Sequence, residues 1–225
     1  TRRPTAAAII RRRRLAAGDR TPFVMILRYS PSSPFARKVR IAGSVLGLAD
    51  EIEVRETDLN DPADSIRAQN PLGKIPALVL DDGTVYYDSR VILEYLDHLA
   101  GGGRIIPSAA PARFAALRMQ SLCDGMLDAG VLIVYESRYR PADKRVDAWV
   151  ERQSDKIARG LAALEQSPPP LDPVPHVGQI ALACVLGYGD LRFGGRWRKD
   201  HPRLVAWHDA FAAQVPSFAE TKVEA

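Results

Sequence analysis

Asn70–Asp97 reads NPLGKIPALVLDDGTVYYDSRVILEYLD, and the fold turns on this stretch. Ala77–Leu80 and Thr84–Tyr87 are short apolar runs joined by Asp81-Asp82-Gly83, the signal of a β-hairpin. Asp88–Ser89 follows as a helix start, and Val91, Ile92, Tyr95, Leu96 and Leu99 recur at helical spacing. Upstream, Met25–Tyr29 (MILRY) reads as a strand. Ser33 and Pro34 then supply an N-cap and a first helical residue. Phe35, Val39, Ala42 and Leu46 mark one apolar helical face, Glu51–Thr57 alternates like a strand, and Pro62–Gln69 reads as a short helix. A βαβ unit, a short helix and a ββα unit within about 75 residues form a thioredoxin-like α/β arrangement.

Gly101-Gly102-Gly103 ends the strand signals. Beyond it the spacing predicts helices over Pro111–Glu136 and Ala142–Gln166, the second stacking Val146, Val150, Ile157, Leu161 and Leu164. Pro168-Pro169-Pro170 breaks the chain. Gln179–Leu186 is apolar almost all round, as a buried central helix must be, and His201–Pro202 opens a last one. The expected organisation is therefore an N-terminal extension over 1–24, a thioredoxin-like domain over 25–100, a linker over 101–110 and an all-α helical bundle over 111–225.

Composition is that of a globular protein, with 46% apolar and 26% charged residues in a 225-residue chain. No apolar run approaches the ~20 residues of a bilayer-spanning helix. The formal charge of +4 misleads, because residues 1–24 hold seven arginines and one acid. Subtracting that +6 leaves −2 on the rest, which makes no case for binding nucleic acid. The extension lacks the apolar centre of a secretory signal and resembles a transit peptide in composition. The plainer reading is upstream sequence left by translation start or expression, outside the fold. Cys123 and Cys184 sit in apolar helical patterns without metal or redox spacing, and are expected as free thiols in a reducing, cytoplasmic compartment.

Four stretches carry a specific resemblance: SPSSPFARKVRIAGSVLGL (Ser30–Leu48), Asn70–Asp97, GQIALACVLGYGDLRF (Gly178–Phe193) and HPRLVAWHDAFAAQVPSF (His201–Phe218). Together, and in this order, they resemble serine-type glutathione transferases, bacterial members with a tau- or zeta-like glutathione site. The resemblance implies that Ser33 activates the thiol of glutathione, with Ser32 as the rival hydroxyl. On local sequence alone Ser33 is equally an N-cap. Phe35, Lys74, Ile75, Pro76, Asp88 and Ser89 are implied to hold the tripeptide. A cis Ile75–Pro76 bond would expose backbone for antiparallel pairing, Asp88 and Ser89 would take the γ-glutamyl end, and Lys74 would meet the glycyl carboxylate or simply solvent. Met119, Met126, Tyr135 and Tyr139 are candidates to line an electrophile pocket, although such a stripe also suits a core.

The resemblance further implies a homodimer, glutathione as co-substrate and no metal. Isomerisation of maleylacetoacetate-type substrates and a non-catalytic regulatory module are the alternatives. One departure stands out. The family opens its central second-domain helix with a Ser/Thr-x-x-Asp box, and here His176-Val177-Gly178-Gln179 takes that place, so a weaker cap is expected. His98, His176, His201 and His208 show no ligand spacing and read as structural or solvated.

Overall fold

The computed structural model describes residues 24–223, so all but the last residue of the N-terminal extension lies outside the described residues. These residues form two compact units, one ending at Ala109 and the other beginning at Ala110. The first unit runs β1 (Met25–Tyr29), α1 (Pro34–Val45), β2 (Ile52–Glu56), α2 (Ile66–Gln69), β3 (Ala77–Val79), β4 (Val85–Tyr86) and α3 (Ser89–Leu99). Its four-stranded sheet has the order β2-β1-β3-β4, with β1 and β2 parallel and the other two pairings antiparallel. Helices α1 and α3 pack against each other, with Ala36, Val39, Ala42, Ile92, Leu93 and Leu96 fully buried. Gly43 is needed for close approach, because a Cβ there would lie 2.8 Å from the Ile52 side chain of β2.

Arg28 of β1 is 4% exposed and organises the segment between β2 and β3. Its guanidinium donates to Thr57 Oγ1, Ser65 Oγ and Gln69 Oε1, and in a fork to both Asp64 oxygens at 2.7 and 3.0 Å. The same segment corrects the expected Pro62–Gln69 helix, which begins only at Ile66. Asp58, Asp61 and Asp64 accept the backbone N–H groups of Asn60, Ala63 and Ile66, each two residues on. These side-chain turns compete with helical hydrogen bonding until Asp64 is passed.

After α3 the three glycines turn with φ of 105°, 77° and 74°, a region costly to other residues. Buried Asp97 fixes the turn by accepting the N–H groups of Gly103, Arg104 and Ile105 at 2.8–2.9 Å.

The second unit contains α4 (Ala110–Tyr139), α5 (Asp147–Gln166), α6 (Val177–Phe193), α7 (Pro202–Gln214) and α8 (Pro216–Glu220). Helix α4 packs on both α5 and α6, and α6 is buried from Val177 through Leu186. The expected helix over Ala142–Gln166 is corrected at its start. Ala142–Lys144 is a 3₁₀ turn, Arg145 and Val146 are extended, and α5 begins at Asp147. Buried Glu136 causes the break by accepting the Val146 N–H and the Arg140 side chain, which leaves Val146 50% exposed. Glu165 of α5 caps α7 in turn, accepting the N–H groups of Arg203 and Leu204 at 2.9 Å each.

The cap of α6 is also corrected, because it is not weak. His176 Nδ1 accepts the N–H groups of Gly178 and Gln179 at 3.0 and 3.3 Å. The Gln179 side chain accepts the His176 N–H at 2.8 Å, closing a reciprocal capping box without an acid. Cys123 and Cys184 are buried and lie outside any disulfide.

Candidate functional site

The strand register brings three segments to one end of the sheet. Arg28, one residue from the end of β1, is opposite Ala77, the first residue of β3. Tyr86, the last residue of β4, is opposite Leu78. The exit of β1 into α1, the entry to β3 and the exit of β4 into α3 therefore share an edge. Ser33, Ile75–Pro76 and Asp88–Ser89 sit on those three connections.

Ser33 occupies the N-cap of α1, with Pro34 at the first helical position. Its Oγ accepts the Ala36 N–H at 3.2 Å, so the hydroxyl proton remains available to donate elsewhere. Arg37 N–H bonds back to the Ser33 carbonyl, and Phe35 N–H is among the first-turn donors that have no intrahelical acceptor. Positive partial charge therefore gathers at this helix end. Ser32 lies in the preceding turn, half-buried like Ser33. Phe35 is half-buried beneath the Lys38 ammonium, 5.5 Å from the ring centroid, and the Arg40 guanidinium lies 5.4 Å from the Tyr29 ring.

The Ile75–Pro76 peptide is cis, with Pro76 buried. Asn70, 2% exposed, shapes the approach. Its side chain donates to the Lys74 carbonyl at 2.8 Å and accepts the Leu72 N–H at 3.0 Å. Lys74 itself is exposed.

Asp88 is the N-cap of α3, accepting the Arg90 N–H at 2.9 Å, and Ser89 is the first helical residue, 2% exposed. The Tyr87–Asp88 peptide is also cis. The Arg90 guanidinium donates to Asp88 Oδ2 at 2.8 Å. That hydrogen bond, helped by the Arg90 and Lys38 charges, holds the Asp88 carboxyl below its ordinary range. Asp88 is thus an anion at neutral pH, available to a cationic group of a ligand. The Arg90 partnership escapes the sequence reading, although an arginine two residues after an N-cap acid is its local signal.

In the helical unit the four pocket candidates separate. Met126 is buried against α5, while Tyr135 and Tyr139 form an exposed edge-to-face pair with centroids 5.2 Å apart. Met119 is half-buried, and a Cβ at Gly178 would stand 2.8 Å from its own. Among the described residues no cluster of His, Cys, Asp and Glu could hold a metal ion, and no helix is long and apolar enough to cross a membrane.

The sheet order and the helical second unit agree with the glutathione S-transferase architecture, and by its matches the chain belongs to that family. Residues 27–104 match the glutathione S-transferase N-terminal domain, and residues 147–210 match the C-terminal domain. Among its relatives is the uncharacterized GST-like protein YibF of Escherichia coli (strain K12), 34% identical over 86% of this chain and 96% of YibF. A glutathione transferase family member from Pseudomonas fluorescens Pf-5, solved with bound glutathione, is 38% identical with a TM-score of 0.81. A glutathione S-transferase from Methylobacillus flagellatus KT, also with glutathione bound, is 36% identical with a TM-score of 0.82. Each covers 89% of this chain and 100% of its own.

Proposed function

We propose that this protein is a glutathione transferase that activates the thiol of glutathione for attack on small hydrophobic electrophiles. The observation that carries the proposal is the convergence of Ser33, Ile75–Pro76 and Asp88–Ser89 on the connections at one end of the sheet. The glutathione bound in the P. fluorescens and M. flagellatus relatives supports it.

An ordinary thiol has a pKa near ~8.5, so a thiolate at neutral pH needs selective stabilisation. Lowering that pKa by ~2 units requires about 2.7 kcal/mol. A hydroxyl that already accepts the Ala36 N–H is polarised toward donation, and the α1 N-terminus adds its dipole. A charge-assisted hydrogen bond together with that dipole meets the requirement. The Ile75 backbone would pair with the cysteinyl segment of the peptide. Ser89 and the first-turn N–H groups of α3 would receive the γ-glutamyl carboxylate, and Asp88 its ammonium.

The working unit we propose is a homodimer in a reducing cytoplasm, which suits two buried cysteines that form no disulfide. Titration calorimetry with glutathione, followed by conjugation to an aryl halide, tests the function. Saturable binding with turnover is the expected result. Binding without turnover on aryl halides or on maleylacetoacetate would favour the non-catalytic module, and no binding would end the proposal. Light scattering at micromolar concentration should give twice the chain mass.

A further inference from the structure

Arg28 holds the segment that presents Ile75 at both of its ends and in its middle. In β1 its backbone lies opposite Arg55 of β2 and Ala77 of β3, so one residue faces both the strand the segment leaves and the strand it enters. Its buried guanidinium donates to Thr57 Oγ1 at the start of the segment and to Asp64 in the middle. It also donates to Ser65 Oγ at 2.7 Å and Gln69 Oε1 at 2.8 Å, at the two ends of α2.

Helix α2 has four residues, too few to hold itself in water, so its placement comes from outside. The fully buried Ile66 sets its depth. Depth alone leaves the turn free to swing about that side chain, and the bonds from Arg28 to Ser65 and Gln69 remove that freedom. A planar guanidinium, with donors at fixed angles, suits the alignment of several acceptors at once. The alignment then passes along the chain. Asn70 N–H donates to the Ile66 carbonyl at 2.7 Å, the Asn70 side chain donates to the Lys74 carbonyl at 2.8 Å, and Ile75 follows.

We propose that Arg28 is a positioning residue for glutathione, setting where the Ile75 backbone meets the cysteinyl segment of the peptide. The inference rests on the glutathione reading and adds to it a buried residue that acts only through α2 and Asn70. Thiol activation is separate from it, because Ser33 bonds instead to Ala36, Arg37 and the Ser30 carbonyl.

The test compares full-length Arg28→Ala and Gln69→Met with Asp97→Ala, a control that loses stability outside the segment. In titration calorimetry the glutathione Kd should rise about tenfold in Arg28→Ala and about three- to fivefold in Gln69→Met. KM for glutathione should rise with Kd, while kcat at saturating glutathione and the pKa of the bound thiol keep their wild-type values. Asp97→Ala should bind glutathione as wild type does. Gln69→Met loses a single hydrogen bond, and it carries the test by itself should Arg28→Ala fail to fold. Wild-type affinity in either folded segment variant would overturn the inference. So would an equal loss of affinity in Asp97→Ala, which would mark a general effect of stability. A wild-type chain that binds no glutathione would end the function reading and this inference together.

Discussion

The Ser33 hydroxyl accepts the Ala36 N–H at 3.2 Å, so one oxygen caps α1 and still holds a proton to donate. The two roles separate by mutation. Ser33→Ala should raise the bound thiol's pKa by about one unit or more, and should destabilise the fold by about 1 kcal/mol through the lost cap. Ser33→Asn should restore most of the stability, because asparagine caps well, without restoring the hydroxyl. The check is thiolate absorbance against pH in the glutathione complexes, with urea unfolding alongside. A pKa shift in Ser32→Ala and none in Ser33→Ala would move the activating hydroxyl by one residue.

Arg28 and Asp64 make a two-point ion pair with little solvent around it, their side chains 5% and 12% exposed. Arg28→Ala strands the Asp64 carboxylate and unties Thr57, Ser65 and Gln69 together. A loss of about 3 kcal/mol is expected in urea unfolding, as for other broken buried pairs. Arg28→Lys should recover little of it, since a point charge cannot reproduce the planar fork.

His176 caps α6 through Nδ1, which can accept only while the ring is neutral. Burial holds its pKa below the ordinary value, and Asp172, 3.9 Å away, only partly opposes this. The folded state therefore binds the proton less readily than the unfolded chain. The contribution is complete above about pH 6.5 and is lost as pH falls through the folded pKa. His208, lowered by burial and by Arg198, works in the same direction. His176→Asp should keep the cap and reduce the fall in Tm between about pH 7 and 5, measured against wild type. An unchanged pH slope would show that His176 is not the titrating cap.

Asp97 receives three consecutive N–H groups from Gly103 to Ile105. Asp97→Ala leaves those donors unpaired, Ile105 among them fully buried. A loss of about 2–3 kcal/mol is expected. Hydrogen exchange at residues 103–105 should accelerate well beyond that at β1. Slow exchange at these amides in the variant would show that other groups hold the turn.

Much of this molecule is local, and the sequence alone determined those parts. The Ser33–Pro34 helix start, the Asp81-Asp82-Gly83 hairpin, the Asp88 cap and the apolar α6 each depend on residues within a few positions of one another. Backbone hydrogen bonding and side-chain period act over that range, so the element order was legible, and with it the connections that carry the candidate residues Ser33, Ile75–Pro76 and Asp88–Ser89. Tertiary structure decided the rest. Arg28 reads as one polar residue in an apolar strand until the chain returns 36 positions later with Asp64. The start of α5 waits on Glu136, ten residues back, and the start of α7 on Glu165, 38 residues back. Even the His176 cap, local in sequence, depends on burial to keep its ring neutral. A cavity of about 420 Å³ between α4, α5 and α6 needs three helices at once, and no single period can encode an empty space. Hydrogen-bond partners and voids are set by distance through space, which the chain reports only once it has folded.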